Sequence, residues 1–467
     1  MDLPILFKDR MKRLLLGEYE DFYRSFCSEK AVKGLRVNTE KLSSDAFLRN
    51  SPFSLEAIPY VHGGFIVPMS NEAGKHPYHH AGAYYMQDPG AMAAVAAIPD
   101  EVFSRKRMRV LDLCAAPGGK TTQLASRTPR DSIILSNEYN TERSRILLGN
   151  IERMGLKNVY VTNLDSTALA MEYPDVFDLV VCDAPCSGEG MFRKNDRAIE
   201  EWSEQNVEMC AQRQKEILLN AAKCVAPGGY LLYSTCTYSI EENEGVVADL
   251  LSQNGEFSLV PCADAVVRCT SDGVTEGFSE EFALCRRFYP HVSKGEGQFA
   301  ALLYRSEDVS EAGRRSRVEG IPSPQKEDRL VIEEFLLETL GTIPSCIGRQ
   351  GGYAFACPAF EKTPLPILPK GTVAIGTTIG EIRKGRIVPH HHFFMAFGGH
   401  MKNRIILDLD DARVARYLAG EEIDASEALS GYAAILLRVG EESITLGGGK
   451  VSSGRLKNYY PKGLRVR

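Results

Sequence analysis

Two cysteines stand where a thiol could do chemistry. One lies in Cys182-Asp183-Ala184-Pro185-Cys186-Ser187-Gly188 and the other in Tyr233-Ser234-Thr235-Cys236-Thr237-Tyr238. Each segment belongs to a short apolar run, Phe177 to Cys182 or Tyr230 to Tyr233, so Cys186 and Cys236 fall just past strand ends. Proline, serine, threonine and glycine flank them, which leaves the sulfur reachable. Cys182 sits inside its strand and reads as a small apolar core residue, the usual state of a buried cysteine. A reachable thiolate is a strong nucleophile near neutral pH. It can split one hard substitution into two easier steps. Asp183 adds a carboxylate beside them, suited to holding or moving a proton.

Such thiols need a frame that delivers two strand ends to one crevice. That frame opens at Arg109–Thr122, Arg-Val-Leu-Asp-Leu-Cys-Ala-Ala-Pro-Gly-Gly-Lys-Thr-Thr. Val110, Leu111 and Leu113 form a buried-strand run, Pro117-Gly118-Gly119 breaks it, and a helical stretch follows from Lys120 to Arg127. Strand, glycine turn and helix open a nucleotide site in a doubly wound sheet. The stretch has neither G-x-G-x-x-G nor a full P-loop, and the same turn also serves as a plain connection in any α/β domain. Further runs follow: Ile133 to Leu135, a helix from Thr141 to Met154, Val159 to Val161, a helix around Met209 to Cys224, and a helix from Glu241 to Leu251. Alternation at this interval predicts a parallel sheet covered on both faces, with ligands at the carboxyl ends of its strands. Cys114 and Gly118, Glu138, Asp165, Asp183 and Cys236 all fall at those ends. An acid after the second strand suits ribose hydroxyls.

The totals bound the rest. The chain has 467 residues, 44% hydrophobic and 25% charged, which predicts two to four globular domains. A net charge of −6 argues against a nucleic-acid coat protein but leaves room for local basic patches. Twelve cysteines without a C-x-x-C pair predict reduced thiols in a cytoplasmic protein, rather than disulfides or structural zinc. No signal peptide or membrane-length apolar run is read. Residues 1–85 read as a small mixed module, with helices at Leu6 to Leu16 and Phe22 to Phe26 and a strand at Gly34 to Asn38. The charges of the first helix read as a solvated face. His76-Pro77-Tyr78-His79-His80 reads as packing and hydrogen bonding rather than metal. If His390-His391-His392 lies on a strand, its side chains diverge and cannot share a metal. Residues 306–330 are polar and charged and read as a linker. An amphipathic helix at Leu330 to Leu340, strand-like pieces over 350–393, Ile405 to Leu409, a helix at Ala412 to Leu418 and a strand near Ala433 to Leu437 complete the chain. The end carries Arg455, Lys457, Tyr459, Tyr460, Lys462, Arg465 and Arg467 with no acid among them. That composition suits phosphates and stacked bases, and equally a solvated tail.

Asp-Leu-Cys-Ala-Ala-Pro-Gly-Gly-Lys-Thr-Thr, Asp-Ala-Pro-Cys-Ser-Gly and Ser-Thr-Cys-Thr-Tyr, in that order, resemble the motifs of the RNA (cytosine-5) methyltransferases of the Sun/RsmB–RsmF family. His76 to Pro89 and Arg287-Phe288-Tyr289-Pro290-His291 with Gly295-Glu296-Gly297, and the long C-terminal extension, resemble the RsmF branch. The resemblance implies an α/β fold: a class I, Rossmann-like methyltransferase domain over 86–305, an N-terminal RNA-binding α+β module over 1–85, a linker over 306–330, an intermediate α+β region over 331–393 and a PUA-like RNA-binding domain over 394–467. It implies S-adenosyl-L-methionine as donor. Cys114, Ala115, Ala116, Pro117, Gly118, Gly119 and Lys120 would wrap its methionine and ribose parts. Glu138 would take the ribose hydroxyls with Arg143 in support, Asp165 would meet the adenine amine, and Asp183 would lie beside the donor. Cys236 is implied as the nucleophile at carbon 6 of cytosine and Cys186 as the group that frees carbon 5 of its proton, with Asp183 holding the ring.

The implied substrate is small-subunit ribosomal RNA, with transfer RNA as the alternative. A non-catalytic RNA-binding ribosome-assembly factor is the reading from another class, disfavoured by the intact Cys186–Cys236 pair. DNA (cytosine-5) methyltransferases resemble a different arrangement, with the nucleophile in the Pro-Cys step. The target base must leave its stack to meet a thiol and a methyl group together. Arg193 and Lys194, just past the Cys186 motif, are candidate phosphate contacts, and the two flanking modules are expected to bracket the crevice.

Overall fold

The computed structural model of the chain describes residues 3–28, 31–68, 72–307, 323–357 and 368–466. Among the described residues its centre is one ten-stranded sheet. Five parallel strands form the middle: β1 (Arg109–Asp112), β2 (Ile133–Asn137), β3 (Val159–Thr162), β4 (Phe177–Asp183) and β5 (Val225–Thr235). They lie in the order β3-β2-β1-β4-β5, and β6 (Gln298–Arg305) continues beside β5 antiparallel. The chain winds outward one way from β1 and then the other from β4. The switch point between β1 and β4 is where a doubly wound sheet opens its crevice.

The helices between the strands are α1 (Gly119–Arg127), α2 (Thr141–Met154), α3 (Ser166–Glu172), α4 (Glu204–Cys224) and α5 (Glu244–Gln253). Alternate residues of each strand feed opposite layers. Val110, Ile134, Leu179 and Leu232 pack with Leu124, Leu147 and Ile151 on one face. Leu111, Leu135, Val180 and Leu231 pack with Leu169, Leu218 and Leu250 on the other. Each fully buried aliphatic side chain contributes roughly 1.5–3 kcal/mol, which holds the strand ends in register. Asn140 caps α2 through the amides of Glu142 and Arg143, and Gly155, with φ +71°, ends it. The helix α5 starts at Glu244, later than the sequence pattern suggests, because Glu242 and Asn243 serve the preceding loop.

The flanks depart from expectation in how they attach. Residues 35–84 and 405–460 share a single core, in which Leu35, Phe47 and Tyr84 meet Leu407, Tyr417 and Leu446. The C-terminal sheet thus packs on the N-terminal module. It is the N-terminal helices Ile5–Leu15 and Tyr19–Ser28 that reach the crevice side, through Phe7, Phe22 and Phe26 against Phe192, Trp202 and Tyr238. A strand of the intermediate region, β7 (Thr372–Ile375), adds to the outer edge of β3, so the central sheet takes a strand from beyond residue 331. Of the expected linker, 308–322 lie outside the described residues, and a helix already begins at Lys326. His390 caps the helix His391–Phe397, so the histidine run is not on a strand. Among the described residues no helix is long and apolar enough to cross a membrane.

Candidate active site

The glycine turn lies at the tip of β1. Leu113 N–H bonds to Val181 O and Ala115 N–H to Asn137 O, tying the turn to both neighbouring strands. Gly118 has φ +112°, a conformation other residues adopt only under strain, and α1 starts at the next residue. The unpaired N–H groups of the first turn of α1 are therefore presented at the crevice. Three side chains brace the turn from behind: Arg143 Nη2 donates to Ala116 O (2.8 Å), Asn150 Nδ2 to Pro117 O (2.9 Å) and Tyr85 Oη to Pro117 O (3.2 Å). Arg143 also stands 3.6 Å from Glu138 Oε2.

Acids line the strand ends. Glu138 is buried and accepts from Asn140 N–H (2.8 Å). Asp165 caps α3 by accepting from Ala168 N–H (2.9 Å). Asn137 and Asn163 fix the backbone between them: Asn137 bonds Leu113 O and Leu164 O, and Asn163 bonds Glu138 O and Tyr139 O. Lys120, nearly buried, turns to Asp183 with Nζ 2.7 Å from Oδ2, while Asp183 Oδ1 accepts from Ser234 Oγ at 2.7 Å. Asp112 lies below this pair, bonded to Thr121 Oγ1 (2.6 Å), and burial pushes its carboxyl up to about 7. Its other oxygen has no hydrogen-bond partner among the described residues. Asp112 was not singled out in the sequence, although it sits inside the same apolar run.

The two thiols meet. Cys186 Sγ and Cys236 Sγ are 3.2 Å apart, and both residues are half-buried, whereas Cys182 is fully buried. The neighbouring Cys236 thiol, and then burial, hold the Cys186 thiol well above its ordinary value. Cys114 is likewise raised, by its contact with Cys182 and by burial. Tyr238, two residues past Cys236, stacks on Tyr289 at 5.6 Å and meets Phe22 edge-on at 5.4 Å. The N-terminal helices therefore buttress the loop that carries Cys236. Glu189 and Glu242, also not singled out in the sequence, lie beneath both thiol loops and bond to each.

Both candidate RNA contacts are engaged in ion pairs within the chain. Arg193 is buried and paired with Glu296 at 2.8 Å, and it also donates to Gly295 O and Ser25 O. Lys194 is paired with Asp88 and lies 3.5 Å from Glu296. Both charges hold the Glu296 loop to the crevice rim, since a buried guanidinium demands a partner. At the C-terminus, Tyr460 is buried and bonded to His80 Nδ1 (2.9 Å), and Arg455 and Lys457 sit on the strand Arg455–Asn458. The basic end therefore begins as sheet and continues into a short exposed turn at Lys462–Leu464, and the buried Tyr460 cannot offer a stacking face. Arg467 lies outside the described residues.

The 16S rRNA methyltransferase RsmB/F profile matches residues 103–304, the N-terminal domain of 16S rRNA methyltransferase RsmF matches 3–89, and the methyltransferase RsmF PUA domain matches 404–466. Ribosomal RNA small subunit methyltransferase F of Aeromonas hydrophila is 30% identical over 461 residues, covering 95% of this chain and 93% of that protein. The chain belongs to the RsmB/F family of 16S rRNA methyltransferases. The same enzyme of Vibrio vulnificus is 30% identical over 481 residues, 99% of this chain and 97% of the relative. A methyltransferase homologue from Pyrococcus horikoshii shares 26% identity and a TM-score of 0.56 over 64% of this chain and 94% of its own. NSun6 from Pyrococcus horikoshii, solved with SFG, shares the fold at 21% identity and a TM-score of 0.55, over 65% of this chain and 99% of its own.

The RsmB/F enzymes are S-adenosyl-L-methionine-dependent, and the crevice fits that donor. The donor carries a sulfonium, an ammonium, a carboxylate, a ribose diol and an adenine amine. The chain offers a set of complementary type at the strand ends: the Lys120–Asp183 pair, the N–H groups of α1, and the carboxylates of Glu138 and Asp165.

Proposed function

We propose that this RsmB/F methyltransferase modifies carbon 5 of a cytosine in small-subunit ribosomal RNA through a covalent bond between Cys236 and carbon 6. Carbon 5 of cytosine is a poor nucleophile on its own. Cys236, as thiolate, adds to carbon 6, and the ring electrons shift toward carbon 5. Asp183, fixed by Lys120 and Ser234, holds N3 and the exocyclic amine and favours that addition. When bound, S-adenosyl-L-methionine supplies an electrophilic methyl group on a sulfonium, and carbon 5 accepts it. Cys186, directly or through water, then takes the proton from carbon 5. The Cys236–carbon 6 bond breaks, the ring regains its double bond, and Cys236 leaves as thiolate.

Glu138 and Asp165 fit the ribose hydroxyls and the adenine amine, and Cys114 to Lys120 fit the remainder of the donor, with Arg143 bracing Ala116. One observation carries the reading. Two half-buried sulfurs stand 3.2 Å apart at the tips of neighbouring strands, next to a carboxylate held by a buried lysine. One group adds at a ring carbon and another takes a proton from the adjacent carbon, so the chemistry needs two such groups side by side. The test is a pair of variants. Cys236→Ser is expected to abolish methyl transfer while donor binding persists. Cys186→Ser is expected to accumulate a protein–RNA adduct that survives denaturant. An adduct that requires Cys186 and forms without Cys236 would reverse the two roles.

A further inference from the structure

The last paired residues of β4 and β5 are Asp183 and Ser234, and beyond them the ladder stops. The two sulfurs nevertheless meet further along, on loops that have left the sheet. What joins these loops is an exchange of carboxylates. Glu189, three residues past Cys186, accepts from Tyr238 N–H (2.9 Å) and Thr237 Oγ1 (2.8 Å) on the Cys236 loop, and from Trp202 Nε1 (2.9 Å). Glu242, six residues past Cys236, accepts from Ser187 N–H (2.9 Å) and Ser187 Oγ (2.5 Å) on the Cys186 loop, and from Gln214 Nε2 (2.8 Å). The hydroxyls of Ser187 and Thr237 lie 3.0 Å apart between the two acids. Gly190 N–H closes the exchange on Cys236 O at 2.9 Å, an approach that a Cβ at 190 would block.

Both carboxylates are fully buried, at 1% and 0% exposure, and among the described residues no lysine or arginine lies within ion-pair distance of either. Two acids buried side by side with no cation in direct contact, and only the more distant charge of Arg10 acting on Glu189, are a costly way to join two loops, and apolar packing would cost less. Such cost is tolerated where placement of a reacting group matters.

We propose that Glu189 and Glu242 are positioning residues, a reciprocal clasp that fixes the gap between Cys186 and Cys236 and so couples adduct formation to release. This rests on the thiol roles proposed above. A loosened clasp leaves Cys236 able to add to the ring but misplaces Cys186 for the proton on carbon 5. The step it impairs most is therefore release.

The test uses the full chain with 16S rRNA and labelled donor, comparing Glu242→Gln and Glu189→Gln with Cys186→Ser and Cys236→Ser. Glutamine keeps the shape but removes the charge and replaces one accepting oxygen by a donor, which opposes Trp202 Nε1–H or Tyr238 N–H at position 189 and forces the Ser187 hydroxyl bond to reverse at position 242. The expected result is a fall in kcat of about tenfold or more, since misplacement near one ångström costs up to about a hundredfold. The KM for donor is expected to stay within about twofold. Denaturant-stable adduct is expected above the wild-type amount, as for Cys186→Ser. A kcat within about twofold of wild type with no added adduct overturns the clasp. So does a loss of turnover that tracks loss of donor binding and of thermal stability with no adduct, which would make the acids part of the fold alone. If Cys236→Ser still methylates, or Cys186→Ser traps nothing, the thiol roles fall instead. Working cysteine controls with silent glutamine variants sink the clasp only.

Discussion

Replacing Lys120 by methionine probes the junction of donor site and thiol site. Lys120 Nζ sits 2.7 Å from Asp183 Oδ2, and its side chain is 9% exposed against 31% for Asp183. Methionine keeps most of the length and removes the charge. Asp183 is then left with Ser234 Oγ at 2.7 Å and Gln298 Nε2 at 3.5 Å. Removing one partner of a fully buried pair costs about 3–5 kcal/mol. Water reaches a third of Asp183 and recovers much of that, leaving about 1–2 kcal/mol. If the donor lies against this pair, the same loss appears in its affinity, and about 1.4 kcal/mol is tenfold in Kd. Calorimetric titration with S-adenosyl-L-methionine, alongside thermal unfolding, reads both quantities. The expected outcome is a Kd raised about tenfold and a kcat reduced further, because Asp183 loses its orientation toward the base. Raised salt is not expected to mimic the variant, since a largely buried pair is weakly screened. A Kd and a kcat both unchanged would refute the placement of the donor against Lys120 and Asp183.

Three other outcomes follow from the same geometry. A Cβ at Gly371 would come within 2.6 Å of Leu164 Cδ2 and 2.9 Å of Asn163 O, so Gly371→Val is expected to shift the loop before Asp165 and raise the donor Kd several-fold, measured by titration. Arg193→Met leaves the buried Glu296 with Lys194 alone, 3.5 Å away. It is expected to cost about 1.5–3 kcal/mol, the worth of a charged hydrogen bond, and lower the unfolding temperature, where a phosphate contact would change only RNA affinity. His392 is held down to about 3 by burial, with Nε2 3.0 Å from Leu156 O. The folded state therefore disfavours its charged form, so its contribution is complete above about pH 6.5 and is lost as pH falls toward 3. At pH 5 that loss is about 2 kcal/mol, so acid is expected to loosen the helix His391–Phe397 from the catalytic domain, visible as early hydrogen exchange there, and His392→Asn is expected to remove the His392 share while leaving that of His391, which burial also holds down to about 3.

Much of the catalytic domain is legible in the chain itself. Val110 and Leu111 with Leu113, Ile133 to Leu135, and Leu179 to Cys182 are apolar because both their faces are covered, and glycine, acid or cysteine marks where each run meets the crevice. Local pattern therefore locates Cys186, Cys236, Asp183 and the glycine turn. What it misses depends on partners distant in sequence. Arg193 looks like a free cation until Glu296 closes on it 103 residues later. Thr372-Val373-Ala374-Ile375 carries nothing that names β3 as its neighbour. Tyr460 reads as a stacking ring, yet its hydroxyl is committed to His80, 380 residues earlier. The histidines at 390–392 sit among strand-forming residues, and only the cap that His390 Nδ1 provides to His392 N–H turns them into a helix start. Glu242 looks like the start of the solvated helix that follows, because its partners Ser187 and Gln214 lie 55 and 28 residues away.

The central claim, that the sulfur of Cys236 bonds to the base while that of Cys186 serves release, can be read from one peptide. RNA carrying 5-fluorocytosine in place of cytosine has no proton to lose from carbon 5 after methylation, so the enzyme–base bond cannot be broken. Incubation with S-adenosyl-L-methionine, proteolysis and mass spectrometry then identify the bonded residue. The nucleotide mass is predicted on the peptide containing Cys236. Its appearance on the peptide containing Cys186, or a turnover that leaves no protein-bound nucleotide at all, would contradict the account.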